Sequence, residues 1–162
     1  MRELPTRKRN RLAGYDYSNS GCYFVTICIE NRHEILWDVP VGANFVRPLH
    51  AEPPALSKIG IIVDEGIQKI ERIYDNVQVN EYVIMPNHLH MILALRTVSN
   101  IVKQYKEYVT KQLGFSIWQR SFHDRIIRDE DEHNRIAQYI ASNPMNWNDD
   151  CFRPANLEKN QQ

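Results

Sequence analysis

Nowhere does the chain stay apolar for the ~18 residues that a membrane-spanning helix needs. No apolar core follows its basic N-terminus, so a secretory signal is not expected there. Cysteine is scarce: Cys22, Cys28 and Cys151 are odd in number and lack CxxC spacing. That pattern excludes a disulfide framework and a zinc knuckle, and it fits buried or incidental thiols in a reducing cytoplasm. Internal repeats and low-complexity tracts are absent too. What remains is one ordinary globular domain, large enough at 162 residues to build a core without staples.

A net charge is also lacking, with 20 cations matched by 20 acids. The distribution is nevertheless uneven. Arg2, Arg7, Lys8, Arg9 and Arg11 face only Glu3 in the first eleven residues. Between Arg96 and Arg128 the chain sets Lys103, Lys106, Lys111, Arg120 and Arg125 against only Glu107 and Asp124. Acid gathers elsewhere, as in Asp129–Glu132. Segregated positive charge of this kind can steer a phosphate-bearing ligand, although a normal mixed surface accounts for charge alone equally well.

Residues 1–20 read as a basic arm. Tyr23–Glu30 alternates as a strand with Tyr23, Val25, Ile27 and Ile29 on one face. Residues 31–54 are rich in proline and form a long irregular connection. Ser57 is expected to cap a helix reaching Tyr74, with a buried stripe of Ile59, Ile62, Val63, Ile67, Ile70 and Ile73. Strands follow at Val77–Met85 and His88–Leu95, broken by Pro86-Asn87. Ser99 is expected to cap a helix closed by Gly114. A short strand near Arg125–Ile127 precedes a last helix, Asp129–Ser142, stopped by Pro144. The order β, helix, β, β, helix, β, helix predicts an α+β, ferredoxin-like two-layer domain with a mostly antiparallel sheet, spanning residues 21–150 before a tail at 151–162.

Two places carry chemistry. His88 and His90, two apart on a strand, share a face while Leu89, Met91, Leu93 and Leu95 take the other. Paired neutral imidazoles make half of a divalent-metal site, although a lone HxH is a weak motif. On the last helix, Tyr139 and Asn143 are four apart and share a face, a phenol beside an amide. An amide oxygen can complete a hard-metal sphere, and a phenol can act as a nucleophile. Tyr105 and Tyr108 sit among lysines on the preceding helix, where they suit packing or contact with a phosphate-bearing ligand better than catalysis.

The motif Pro86-Asn87-His88-Leu89-His90 resembles the signature of the HUH single-tyrosine transposases, and in particular their REP-associated branch. Gly14–Tyr17, Gly21–Cys28 with Asn31-Arg32, Glu81–Met85, Trp118–Phe122, Asp124-Arg125, Ile127–Glu130 and Tyr139-Ile140 with Asn143-Pro144 and Trp147 follow in the family's order. The resemblance implies an endonuclease and strand transferase that cuts and rejoins single-stranded DNA, with hairpin DNA as partner. It implies His88 and His90 as ligands of Mg2+ or Mn2+, Tyr139 as the nucleophile that forms a 5′-phosphotyrosine, and Asn143 where the insertion-sequence branch has a glutamine ligand. Lys103, Lys106, Lys111, Arg120, Arg125 and Arg128, with Arg7, Lys8 and Arg9 of the arm, would track phosphates. Both a homodimer and a monomer fit the resemblance. A hairpin-binding protein without catalysis, and a phosphodiesterase using water, are the rival readings.

Overall fold

The structure, a computed structural model, describes residues 21–38 and 55–157. The arm with Arg7, Lys8 and Arg9 lies outside the described residues, as does most of the proline-rich connection. Four strands form one antiparallel sheet: β1 (Gly21–Cys28), β2 (Gln78–Ile84), β3 (His88–Leu95) and β4 (His123–Ile127), in the order β2-β3-β1-β4. With α1 (Lys58–Ile73) after β1 and α2 (Val98–Leu113) after β3, this is the ferredoxin-like βαββαβ arrangement. A third helix, α3 (Glu130–Ser142), follows β4.

The alternation of β3 decides the layering. Leu89, Met91, Leu93 and Leu95 join Tyr23, Val25 and Ile27 of β1 in the main core, against Val63, Ile67 and Ile70 of α1 and Val102, Tyr105 and Val109 of α2. On the other face, Ile92 meets Ile127, Ile136 and Ile140, so α3 packs on the side that carries the histidines. β3 is nearly all buried because strands flank it on both sides and helices cover both faces.

Local chemistry sets the helix boundaries. The Ser57 hydroxyl accepts from the Gly60 amide and caps α1, as expected. Asp129 caps α3 by accepting from the Glu132 amide, and three acids fill its first turn. Gly114 ends α2 at φ 80°, the left-handed conformation a glycine adopts freely. Gly60 is required for a different reason: a Cβ there would stand 2.1 Å from the Leu36 carbonyl oxygen.

Three expectations need correction. α2 begins at Val98 with Thr97 at its N-cap, so Ser99 lies inside the first turn; Val98 is pulled into the helix by its burial in the core. Ile73 is 60 % exposed, because the stripe of α1 turns off the sheet at its last turn, while Gly60 and Gly66 occupy buried stripe positions. β1 stops at Cys28 because Asn31 and Arg32 take left-handed φ values of 52° and 58°, which end the extended run.

Candidate metal and nucleophile site

Met85, Pro86 and Asn87 connect β2 to β3, and the Met85 amide donates to the His88 carbonyl oxygen. The turn puts His88 at the start of β3, opposite Cys28, and His90 opposite Thr26. Both rings are buried, His88 at 0 % and His90 at 1 % exposure. Their Nε2 atoms stand 3.1 Å apart. Two ligands at right angles about 2.1 Å from an octahedral ion would be about 3.0 Å apart, so this spacing fits a divalent ion.

The outer nitrogens are held in place. The Asn87 Nδ2 donates to the carbonyl oxygens of Arg32 (3.2 Å) and Phe152 (2.8 Å), which fixes the amide's orientation. Its Oδ1 must then accept from His88 Nδ1 at 2.8 Å. His88 therefore carries its proton on Nδ1 and presents a bare Nε2. His90 Nδ1 lies 2.8 Å from the Thr26 hydroxyl. Burial pushes His90 down to about 3, and burial, then the neighbouring His90 and Arg32, push His88 well below its ordinary value. Both imidazoles are neutral at neutral pH, the form that binds metal.

Asp150 brings a carboxylate. Its Oδ2 is 3.8 Å from His88 Nε2, and donor atoms of His88, His90 and Asp150 lie within 4.8 Å of one another. Sequence spacing gave no sign of this acid, because it comes from the end of the 3-10 segment Asn143–Asp149 that follows α3, some sixty residues from the histidines. The only local hint was the Asp149-Asp150 pair after Trp147. Phe152 follows and packs on both imidazoles, with ring centroids 4.6 Å from His88 and 5.8 Å from His90.

Tyr139 reaches the pair from α3. Its hydroxyl is 3.4 Å from His90 Nε2 and its ring lies 5.4 Å from the His90 ring, while Phe24 stacks on His90 from β1 at 5.0 Å. Tyr139 is 43 % exposed. Burial of its inner side and then the Asp150 carboxylate push the phenol above its ordinary value; the Asn143 amide acts the other way. Asn143, one turn on, is buried with its amide close to the Tyr139 phenol.

Tyr105 is buried and its hydroxyl donates to the Val63 carbonyl oxygen, and Tyr108 accepts from Lys69. Of the expected phosphate contacts, Lys103, Lys106, Lys111 and Arg120 line a cavity of about 490 Å3 with Trp118 and Phe122 beside α2. Lys106 is partly committed, donating to the Gln119 carbonyl oxygen at 2.6 Å, and Lys103 lies 3.7 Å from Glu107. Arg125 pairs with Glu132 at 3.2 Å and borders a second cavity, about 590 Å3, next to Tyr139. Arg135, one turn before Tyr139, borders it too and was not singled out from sequence. Arg128 is exposed at the end of β4. Among the described residues, no helix is long and apolar enough to cross a membrane.

No family model matches the chain. A Haemophilus influenzae protein of uncharacterised function is 29 % identical over 174 residues, covering 89 % of this chain and 91 % of that protein. The solved structure of a REP-associated tyrosine transposase bound to a REP hairpin superposes with a TM-score of 0.61 at 22 % identity, over 83 % of this chain and 73 % of that one. The chain therefore shares its α+β fold with that transposase.

Proposed function

We propose that the protein is a metal-dependent tyrosine transposase that cuts and rejoins single-stranded DNA at hairpin ends. The observation that carries this reading is the meeting, on one face of the sheet, of two buried neutral imidazoles, a carboxylate and a half-exposed phenol. The transposase with this fold is described bound to a hairpin, which supports the choice of partner.

His88, His90 and Asp150 would hold a magnesium or manganese ion, with the Asn143 amide completing the donor set. When bound, such an ion polarises the phosphate and offsets charge that builds up in the transition state. The remaining work belongs to the chain. Asn87 and Thr26 fix the imidazole rings. Phe24 and the His90 ring hold the phenol in place. The Tyr139 oxygen attacks phosphorus, the bond to the 3′ oxygen breaks, and that oxygen takes up a proton to leave a 3′-hydroxyl. The phenol proton leaves to solvent on the exposed side, because the nearest basic atom, His90 Nε2, is the atom committed to the ion. The 5′-phosphotyrosine keeps the energy of the broken ester, so a later 3′-hydroxyl can attack it and rejoin the strand. Arg125, Arg135 and the cations beside α2 would follow the backbone on either side.

The test is to incubate labelled single-stranded hairpin DNA, with randomised flanks, with protein and manganese or magnesium, and to run the products under denaturing conditions. A protein-linked band that chelator abolishes and Tyr139→Phe lacks is the expected result. Binding without cleavage would leave a hairpin-binding protein instead. Cleavage without any linked band would leave a phosphodiesterase that uses water.

A further inference from the structure

We infer that Arg32 is a phosphate-binding residue of this site, its guanidinium holding a non-bridging phosphate oxygen beside the metal ligands. Three observations converge on it. First, Asn31 and Arg32 both hold left-handed φ, the only two non-glycine residues with positive φ among those described. Consecutive strained residues of this kind persist where surrounding structure fixes them, and they cluster at ligand sites. Second, Arg32 is wired to the histidines: its carbonyl oxygen accepts from Asn87, the same amide that orients His88. Third, its guanidinium lies over the Phe152 ring, 4.4 Å from the centroid, and Phe152 in turn lies on His88. Its Nη1 is buried and has no hydrogen-bond partner among the described residues. A buried, unpaired donor on a permanent cation is costly unless a ligand satisfies it.

Charge gives the ligand its sign. The imidazoles are neutral, and Asp150 offsets Arg32, so the side chains of the site by themselves are close to balanced in charge. A divalent ion held there adds two positive charges in an enclosed place, and an anion must accompany it. A phosphate held at the guanidinium edge would meet that need, and the fork of N–H donors suits it. Because Nη1 is buried, neighbouring side chains have to shift for a phosphate to reach it.

This assignment deepens the strand-cleavage reading for the identity of the diester, but its test does not use DNA. In magnesium, 15N-labelled protein is titrated with inorganic phosphate while the Arg32 Nε–H signal, identified by its loss in Arg32→Lys, and the His88 and His90 ring signals are followed. The expected result is that all three move with one dissociation constant, and that Arg32→Lys weakens it at least about tenfold with an unchanged melting temperature. Phe152→Ala removes the ring stacked on the guanidinium while leaving the arginine's N–H fork intact, and phosphate binding should then be kept or tightened. Equal affinity in wild type and Arg32→Lys, or shifts confined to other arginines, would overturn the assignment. So would loss of binding in Phe152→Ala as large as in Arg32→Lys, since Arg32 would then only support the ring. A phosphate response at Arg32 in a protein that forms no DNA adduct would retain the residue and discard the transposase. An adduct formed without that response would do the reverse.

Discussion

Two imidazoles can be enclosed side by side only while uncharged. Because the folded pKa values of His88 and His90 lie below the ordinary 6.5, with His90 near 3, the unfolded chain takes up protons that the folded one refuses as pH falls below 6.5. The stability tied to the pair is complete above pH 6.5 and declines as pH falls from there towards 3. Asp150, pushed upwards by burial, opposes this trend, one group against two. The melting temperature of metal-free protein should therefore hold between pH 8 and 7 and drop towards pH 4.5. In the His88→Gln, His90→Gln double variant that drop should be shallower, and calorimetry across the range checks it. The Thr26 hydroxyl holds His90 by its outer nitrogen, so Thr26→Val should weaken manganese affinity by about 10–100-fold, read by titration calorimetry. The histidines were legible at this scale because period-two alternation places i and i+2 on one face whatever the fold. Asp150, Thr26 and Arg32 were not, since only the folded chain brings residues so far apart in sequence to one point.

At the scale of elements, apolar periodicity and caps carried most of the reading. Ser57, Asp129 and Gly114 do at their helix ends what their chemistry predicts. The misreadings lie where tertiary contact overrides spacing: Ile73 follows the stripe of α1 yet passes beyond the sheet, and Val98 enters the helix ahead of Ser99. Buried and exposed members of the same pattern should differ sharply on truncation. Leu93→Ala, at 0 % exposure in the main core, should cost about 2–5 kcal/mol. Ile73→Ala, at 60 %, should stay within about 0.5 kcal/mol, and urea unfolding separates the two. Gly60→Ala should destabilise the fold more than its small size implies, because the clash is with the backbone carbonyl of Leu36, which cannot swing away.

For the whole molecule, a balanced net charge conceals a division of labour. The sheet separates the cationic cavity beside α2 from Tyr139 on α3, since the two helices pack on opposite faces. DNA gripped at both would have to pass around an edge of the sheet, and β4 is the edge next to Tyr139's cavity. Arg120→Ala or Lys111→Ala should weaken hairpin binding for all sequences alike and lower the salt slope of log affinity by about one unit each, as fluorescence anisotropy would show. The central claim is that Tyr139 becomes covalently joined to DNA. It is tested most directly by digesting the manganese-dependent adduct and sequencing the modified peptide by mass spectrometry. The account predicts a 5′-phosphorylated nucleotide on Tyr139; the same mass on Tyr105 or Tyr108, or cleaved DNA with no modified peptide, would contradict it.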